Sequence, residues 1–155
     1  MKRNLKALLI CLAIPLAVGG LSALVSGGMS DYSGMAQPPL SPPGWVFPVV
    51  WSILYLLMGY ASYRIYTSDA PREDIRKALI LYAAQLFVNF LWSPIFFGLQ
   101  WYLVAFFVLI VMWILIYLTL RAFSKIDERA ADLLLPYILW VTFAGYLNLG
   151  VFFLN

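Results

Sequence analysis

The chain has 155 residues, 64% of them apolar, with ten basic and seven acidic side chains and no histidine. So few charges exclude a soluble domain with a polar exterior, and the net charge of +3 is too small and too dispersed for a nucleic-acid partner. With no histidine and a single cysteine, Cys11, the sequence offers no zinc or His-ligated haem site, no histidine-based triad and no intrachain disulfide.

Uncharged runs cover residues 7–30, 32–63, 78–120 and 133–155. Crossing about 30 Å of hydrocarbon at about 1.5 Å per residue needs roughly 20 residues. The third run is two spans long and contains a break near 94–100. The expected fold is therefore an all-α membrane protein, a five-transmembrane-helix bundle in one domain over 1–155, with helices at about 7–26, 45–65, 77–97, 101–121 and 132–153.

The first helix carries Gly19, Ala23 and Gly27 at intervals of four, which lets helix backbones approach closely in lipid. Packing within the bundle is the simpler use of that spacing, and a dimer contact the other. A basic start, an apolar run and Val25-Ser26-Gly27 also fit a cleaved signal peptide. The length of the run and the consistent placement of charges across five spans predict a retained helix. Cys11 lacks the small preceding residues of a lipoprotein anchor and reads as a small apolar residue.

Loop 27–44 contains proline doublets at 38–39 and 42–43, which fix φ and disfavour helix in the preceding residue. This collar is too apolar for a solvated linker and is expected to fold over the bundle mouth. Helix can begin only near Trp45, with Pro48 tolerated in the first turn.

On the second helix Trp51, Tyr55, Met58 and Ser62 share one face. The third helix aligns Tyr82, Gln85, Asn89, Trp92 and Ser93, and the fifth Tyr137, Trp140, Ala144 and Asn148. Polar side chains in hydrocarbon need partners, so the three stripes are expected to face one another beneath the collar. Trp45, Trp92 and Trp101 lie at helix ends, where indoles anchor at the membrane interface. Trp113 reads as lipid-facing or core filler. Gln85, Asn89 and Asn148 suit either interhelical hydrogen bonds or ligand orientation, whereas Trp51 and Trp140 lie deeper and suit a pocket wall.

All ten basic residues fall before helix 1 or around the 2–3 and 4–5 loops. By the positive-inside rule those segments are cytoplasmic, with the 1–2 loop and C-terminus outside. No ionisable group lies within an expected span, which removes the intramembrane charges that coupled transporters use. An aromatic-lined apolar cavity with a few amides is the composition of a site for a flat hydrophobic molecule.

The run from Pro38 to Tyr55, Pro-x-x-x-Pro-Pro-Gly-Trp-x-Phe-Pro-x-x-Trp-x-x-Leu-Tyr, resembles the signature of the TspO/MBR family of tryptophan-rich sensory, translocator and peripheral-type benzodiazepine receptor proteins. Gln85 to Phe97, and Leu135 to Trp140 followed by Tyr146-Leu147-Asn148, resemble the family's segments in helices 3 and 5. The resemblance implies a five-helix receptor or sensor and frequent homodimers. It further implies binding of porphyrins such as protoporphyrin IX, of benzodiazepine-type and isoquinoline ligands and, in some members, of sterols, with a role in tetrapyrrole or sterol transport and stress regulation.

Carried over by position, the ligand-binding residues would be Tyr32, Pro42, Trp51, Asn89, Ser93, Trp140 and Ala144, with no metal and no required cofactor. Light- and oxygen-dependent porphyrin degradation is the enzymatic alternative the resemblance offers, and a structural membrane partner is a third reading. Leu40 and Asp31 stand where the family often has tryptophan, which thins the lid's aromatic lining. No basic residue closes a sterol pattern after Tyr146. A bacterial cell membrane is the expected location.

Overall fold

The computed structural model describes residues 4–26 and 36–155. The chain runs through α1 (Leu5–Val25), α2 (Val46–Tyr66), α3 (Arg72–Ser93), a π-helical turn (Pro94–Gly98), α4 (Tyr102–Ile126), α5 (Glu128–Leu133) and α6 (Leu135–Leu154). Among the described residues, five segments are long and apolar enough to cross a membrane: α1, α2, α3 with its π-turn, α4, and α5 with α6. The expected all-α, five-span architecture is therefore the observed one.

Local chemistry sets the ends. Asn4 caps α1, its side-chain oxygen accepting from the Ala7 amide at 3.2 Å. Glu73 and Asp74 occupy the first turn of α3, where negative charge meets the positive end of the helix dipole. Gln100 adopts φ 57 between the π-turn and α4, and this left-handed residue helps to close the short connection. Asp127 is extended, and its carboxylate accepts from the Arg129 amide at 3.0 Å to start α5. Leu134 then interrupts the helix, and Pro136 lies in the first turn of α6.

The spans form a ring in which α1 packs on α2 and α3, α3 on α4, and α4 on α6; α2 and α6 close it along its loosest seam. Two prolines shape these contacts. Pro15 has no N–H to pair with the Cys11 carbonyl, and that carbonyl faces Gly59 of α2, where an added Cβ would stand 2.6 Å from it. Pro94 likewise frees the Phe90 carbonyl, and the Ser22 hydroxyl of α1 supplies the missing donor at 2.9 Å. Sequence-dictated defects in two helices thus become the places where neighbours dock.

The interior is filled by Met58, Ile65, Met112, Ile116, Phe123 and Tyr137, while Leu9, Ile14, Phe87, Phe107 and Leu139 face outward, as a lipid-facing surface requires. Trp45 and Trp101 are exposed at helix ends, as expected for interface anchors. Trp92 is not one of them. It is 8% exposed, and its Nε1 donates to Asn148 Oδ1 at 2.9 Å, because α3 continues past it into the π-turn and keeps it inside the bundle. Trp113 is partly exposed and donates to the Thr142 hydroxyl at 2.9 Å, which ties α4 to α6.

At the end that carries the basic residues, Arg64 Nε donates to Asp127 Oδ2 at 2.7 Å, pinning the end of α2 to the α4–α5 corner. Partial burial opposes ionisation of Asp127, but the hydrogen bonds from Arg64 and from the Arg129 and Ala130 amides outweigh it and hold the carboxyl below its usual range. A depressed folded-state pKa contributes stability that is present above the unfolded value and lost as pH falls through the folded one. The expected outcome is a thermal midpoint that falls as pH is lowered below about 4, with a flatter acid limb for Asp127→Asn. Melting both proteins in detergent across that range checks it.

Candidate functional site

The three expected stripes turn inward except at Trp140, which is only partly buried. Trp51, Tyr55, Met58 and Ser62 of α2, Tyr82, Gln85, Asn89, Trp92 and Ser93 of α3, and Tyr137, Ala144 and Asn148 of α6 are all buried. Their polar atoms form a hydrogen-bonded chain across three helices. The Tyr55 hydroxyl donates to Asn89 Oδ1 at 2.9 Å, Asn89 Nδ2 to the Tyr137 hydroxyl at 2.7 Å, and that hydroxyl to Gln85 Oε1 at 2.6 Å. Asn148 accepts from Trp92 and donates to the Tyr102 carbonyl at 2.8 Å, which fixes α6 against the start of α4. In hydrocarbon each such bond is worth about 0.6–2 kcal/mol.

Two hollows flank this chain. The inner one is walled by Gly19, Ser22 and Ala23 of α1, Trp51 and Tyr55 of α2, and Asn89, Trp92 and Ser93 of α3. It holds about 10 Å³, room for one water at most. Trp51 stacks on Tyr55 at 5.6 Å and meets Tyr137 edge-on at 6.2 Å. At the collar end of the same wall, the Ser26 hydroxyl donates to the Ser22 carbonyl at 2.5 Å and accepts from the Ser93 hydroxyl at 2.9 Å.

The outer hollow is a groove of about 450 Å³ along the α2–α6 seam. Val50, Ile53, Leu54 and Leu57 form one side, and Pro136, Leu139, Trp140 and Phe143 the other. The Trp140 ring leans on Phe47 at 5.9 Å and Phe143 at 5.6 Å. Its Nε1 is buried and has no hydrogen-bond partner among the described residues. An unpaired N–H in an otherwise apolar wall costs free energy unless something accepts from it.

The collar is fastened to α6. The Tyr146 hydroxyl donates to the Pro39 carbonyl at 2.6 Å, and Asn155 Nδ2 to the Ala36 carbonyl at 2.9 Å. Pro38 lies directly on Gly150, where any side chain would collide with the proline ring. Leu40, at φ 69 and largely exposed, is held in a left-handed turn by these contacts and by the Ser41 hydroxyl, which donates to the Pro38 carbonyl at 2.7 Å.

The seven residues singled out from the sequence are thus divided. Trp51, Asn89 and Ser93 share the inner hollow, whereas Trp140 lines the outer groove. Pro42 is half-buried in the collar and Ala144 is buried on α6, and neither lines either hollow. Tyr32 lies outside the described residues. Sequence reasoning missed Phe47, Phe143 and the aliphatic wall of α2; alternation of Val50, Ile53, Leu54 and Leu57 at helical spacing was the available signal.

The sequence model of the TspO/MBR family matches residues 9–154. A tryptophan-rich protein TspO from Chlorobaculum tepidum is 34% identical over 157 residues, covering 100% of this chain and 99% of that one. A tryptophan-rich sensory protein from Cereibacter sphaeroides is 41% identical, covering 80% of this chain and 76% of its own length. A translocator protein from Bos taurus is 37% identical, covering 78% and 72%. With the family pattern matched over nearly its whole length and five spans in place, the chain belongs to the TspO/MBR family.

Proposed function

We propose that this protein is a membrane receptor for a flat hydrophobic ring system of the porphyrin class, such as protoporphyrin IX, taken from the bilayer into the α2–α6 groove. The observation that carries the reading is the groove itself: about 450 Å³, lined by apolar side chains, with the Trp140 indole on one wall and its N–H unpaired. That volume falls in the range of about 300–1,000 Å³ occupied by small-molecule sites, whereas the inner hollow is far below it. A planar macrocycle would stack on Trp140 and Phe143.

Relatives named sensory and translocator proteins suit either signalling of the bound molecule or its passage onward. The basic end is placed in the cytoplasm by the positive-inside rule.

Protoporphyrin IX titrated into detergent-solubilised protein is expected to quench tryptophan emission to a plateau at one molecule per chain. Trp140→Leu should weaken binding about tenfold, the value of one lost stacking contact. Quenching that never saturates, or an unchanged affinity in the variant, would contradict the proposal.

A further inference from the structure

The hydrogen-bonded chain through the bundle has a direction. Tyr55 donates to Asn89, Asn89 to Tyr137 and Tyr137 to Gln85, so each link passes its donor onward. The last donor, Gln85 Nε2, finds no acceptor among the described residues, although Gln85 is only 1% exposed. One turn earlier on the same face of α3, the Tyr82 hydroxyl is also buried, at 6% exposure, and unpaired. The Ser62 hydroxyl of α2 lies beside that phenol, its own proton committed to the Gly59 carbonyl at 2.8 Å.

Two unmatched polar groups on adjacent turns of one buried face, with a hydroxyl lone pair beside one of them, are what one bound water needs, since such waters make two to four hydrogen bonds. In the apolar middle of a membrane protein there is no bulk solvent to satisfy them otherwise.

We propose that α2 and α3 enclose a single-water site, in which the water accepts from Gln85 Nε2 and bonds the Tyr82 hydroxyl, with Ser62 Oγ as a further acceptor. The water completes a polar column that runs from Tyr55 of α2, through Asn89 of α3 and Tyr137 of α6, back along α3 to Tyr82 and Ser62 of α2. It thereby adds a second tie between α2 and α3, beside the Tyr55–Asn89 bond that already links α2 to α3 and, through Asn89, to Tyr137 of α6. The site is separate from the groove of the proposed receptor function and does not depend on it.

The test is a thermal-melting double-mutant cycle on the full chain in detergent. With water bound, Tyr82→Phe lowers the midpoint by about 3 °C, Gln85→Met lowers it further because Tyr137 also loses its acceptor, and the double variant falls by less than the sum, since one water is lost only once. In a dry site, removing an unpaired buried hydroxyl leaves the midpoint unchanged or raises it, and that result for Tyr82→Phe, or strict additivity in the double variant, overturns the proposal. X-ray hydroxyl-radical labelling of the unmutated protein gives an independent reading. Oxidation at Tyr82 several-fold above that at Tyr55 is expected from a water beside it, and equal protection of the two rings contradicts it.

Discussion

Gly59→Leu is expected to abolish the folded bundle. Monodisperse protein after detergent extraction should fall close to zero, while Gly20→Leu extracts and melts like the parent. The contrast follows from what each glycine faces. A Cβ at Gly59 would meet the Cys11 carbonyl oxygen at 2.6 Å and the Leu12 Cα at 3.0 Å, whereas at Gly20 nothing lies within 4 Å. The obstacle at Gly59 is backbone, held by the kink that Pro15 imposes, so no side chain can rotate away. Even Gly59→Ala would force α1 and α2 apart along one of the closest interfaces of the ring, and overpacking of this kind costs about 1–3 kcal/mol for a single methyl, with the far larger leucine costing more. Size-exclusion profiles of the two leucine variants decide the matter, and a well-behaved Gly59→Leu would show that α1 is not seated as described.

The second large effect concerns the groove. Ile53→Trp and Leu139→Trp place a bulky ring on opposite walls of the α2–α6 seam, at positions that are exposed and make no packing contact the fold relies on. Each is expected to weaken protoporphyrin binding by more than about tenfold, equivalent to about 1.4 kcal/mol, with the melting midpoint unmoved. Trp51→Phe should change affinity by less than about twofold, because Trp51 lies behind the groove in the closed inner hollow, stacked on Tyr55. Equilibrium titrations of the three variants check this ordering. Strong loss in Trp51→Phe with little change in Leu139→Trp would move the site to the interior.

Much of the architecture was legible because lipid enforces a simple pattern. Uncharged runs marked the spans, and the amides and hydroxyls of α2, α3 and α6 had to turn toward one another, so Asn89 was found between Tyr55 and Tyr137. Spacing along one helix does not specify what an indole meets across the next. Trp92 lies near a helix end in sequence but is carried inside by the π-turn, and Trp140 shares a stripe with Tyr137 yet leans outward onto Phe47 and Phe143.

The single slot expected to hold Trp51, Asn89 and Trp140 is therefore two hollows, with Trp51 packed on Tyr55 and Tyr137, and Trp140 on Phe47 and Phe143. The short α5 was also unforeseen, although Asp127 before Glu128 is a helix-start signal. The fastening of the collar to α6 could not be read at all, since Tyr146 and Pro39 are 107 residues apart and nothing local pairs them.

The central claim is that a flat apolar ligand lies against Trp140 between α2 and α6. The most direct measurement is photocrosslinking of the unmutated protein with a diazirine-bearing porphyrin, followed by mass-spectrometric mapping of the adducts. The account predicts adducts on Ile53, Leu57, Leu139 and Phe143, competed away by unlabelled protoporphyrin IX. Competed adducts concentrated on Gly19, Ser22 and Ala23 of α1 would contradict it and place the ligand in the inner hollow.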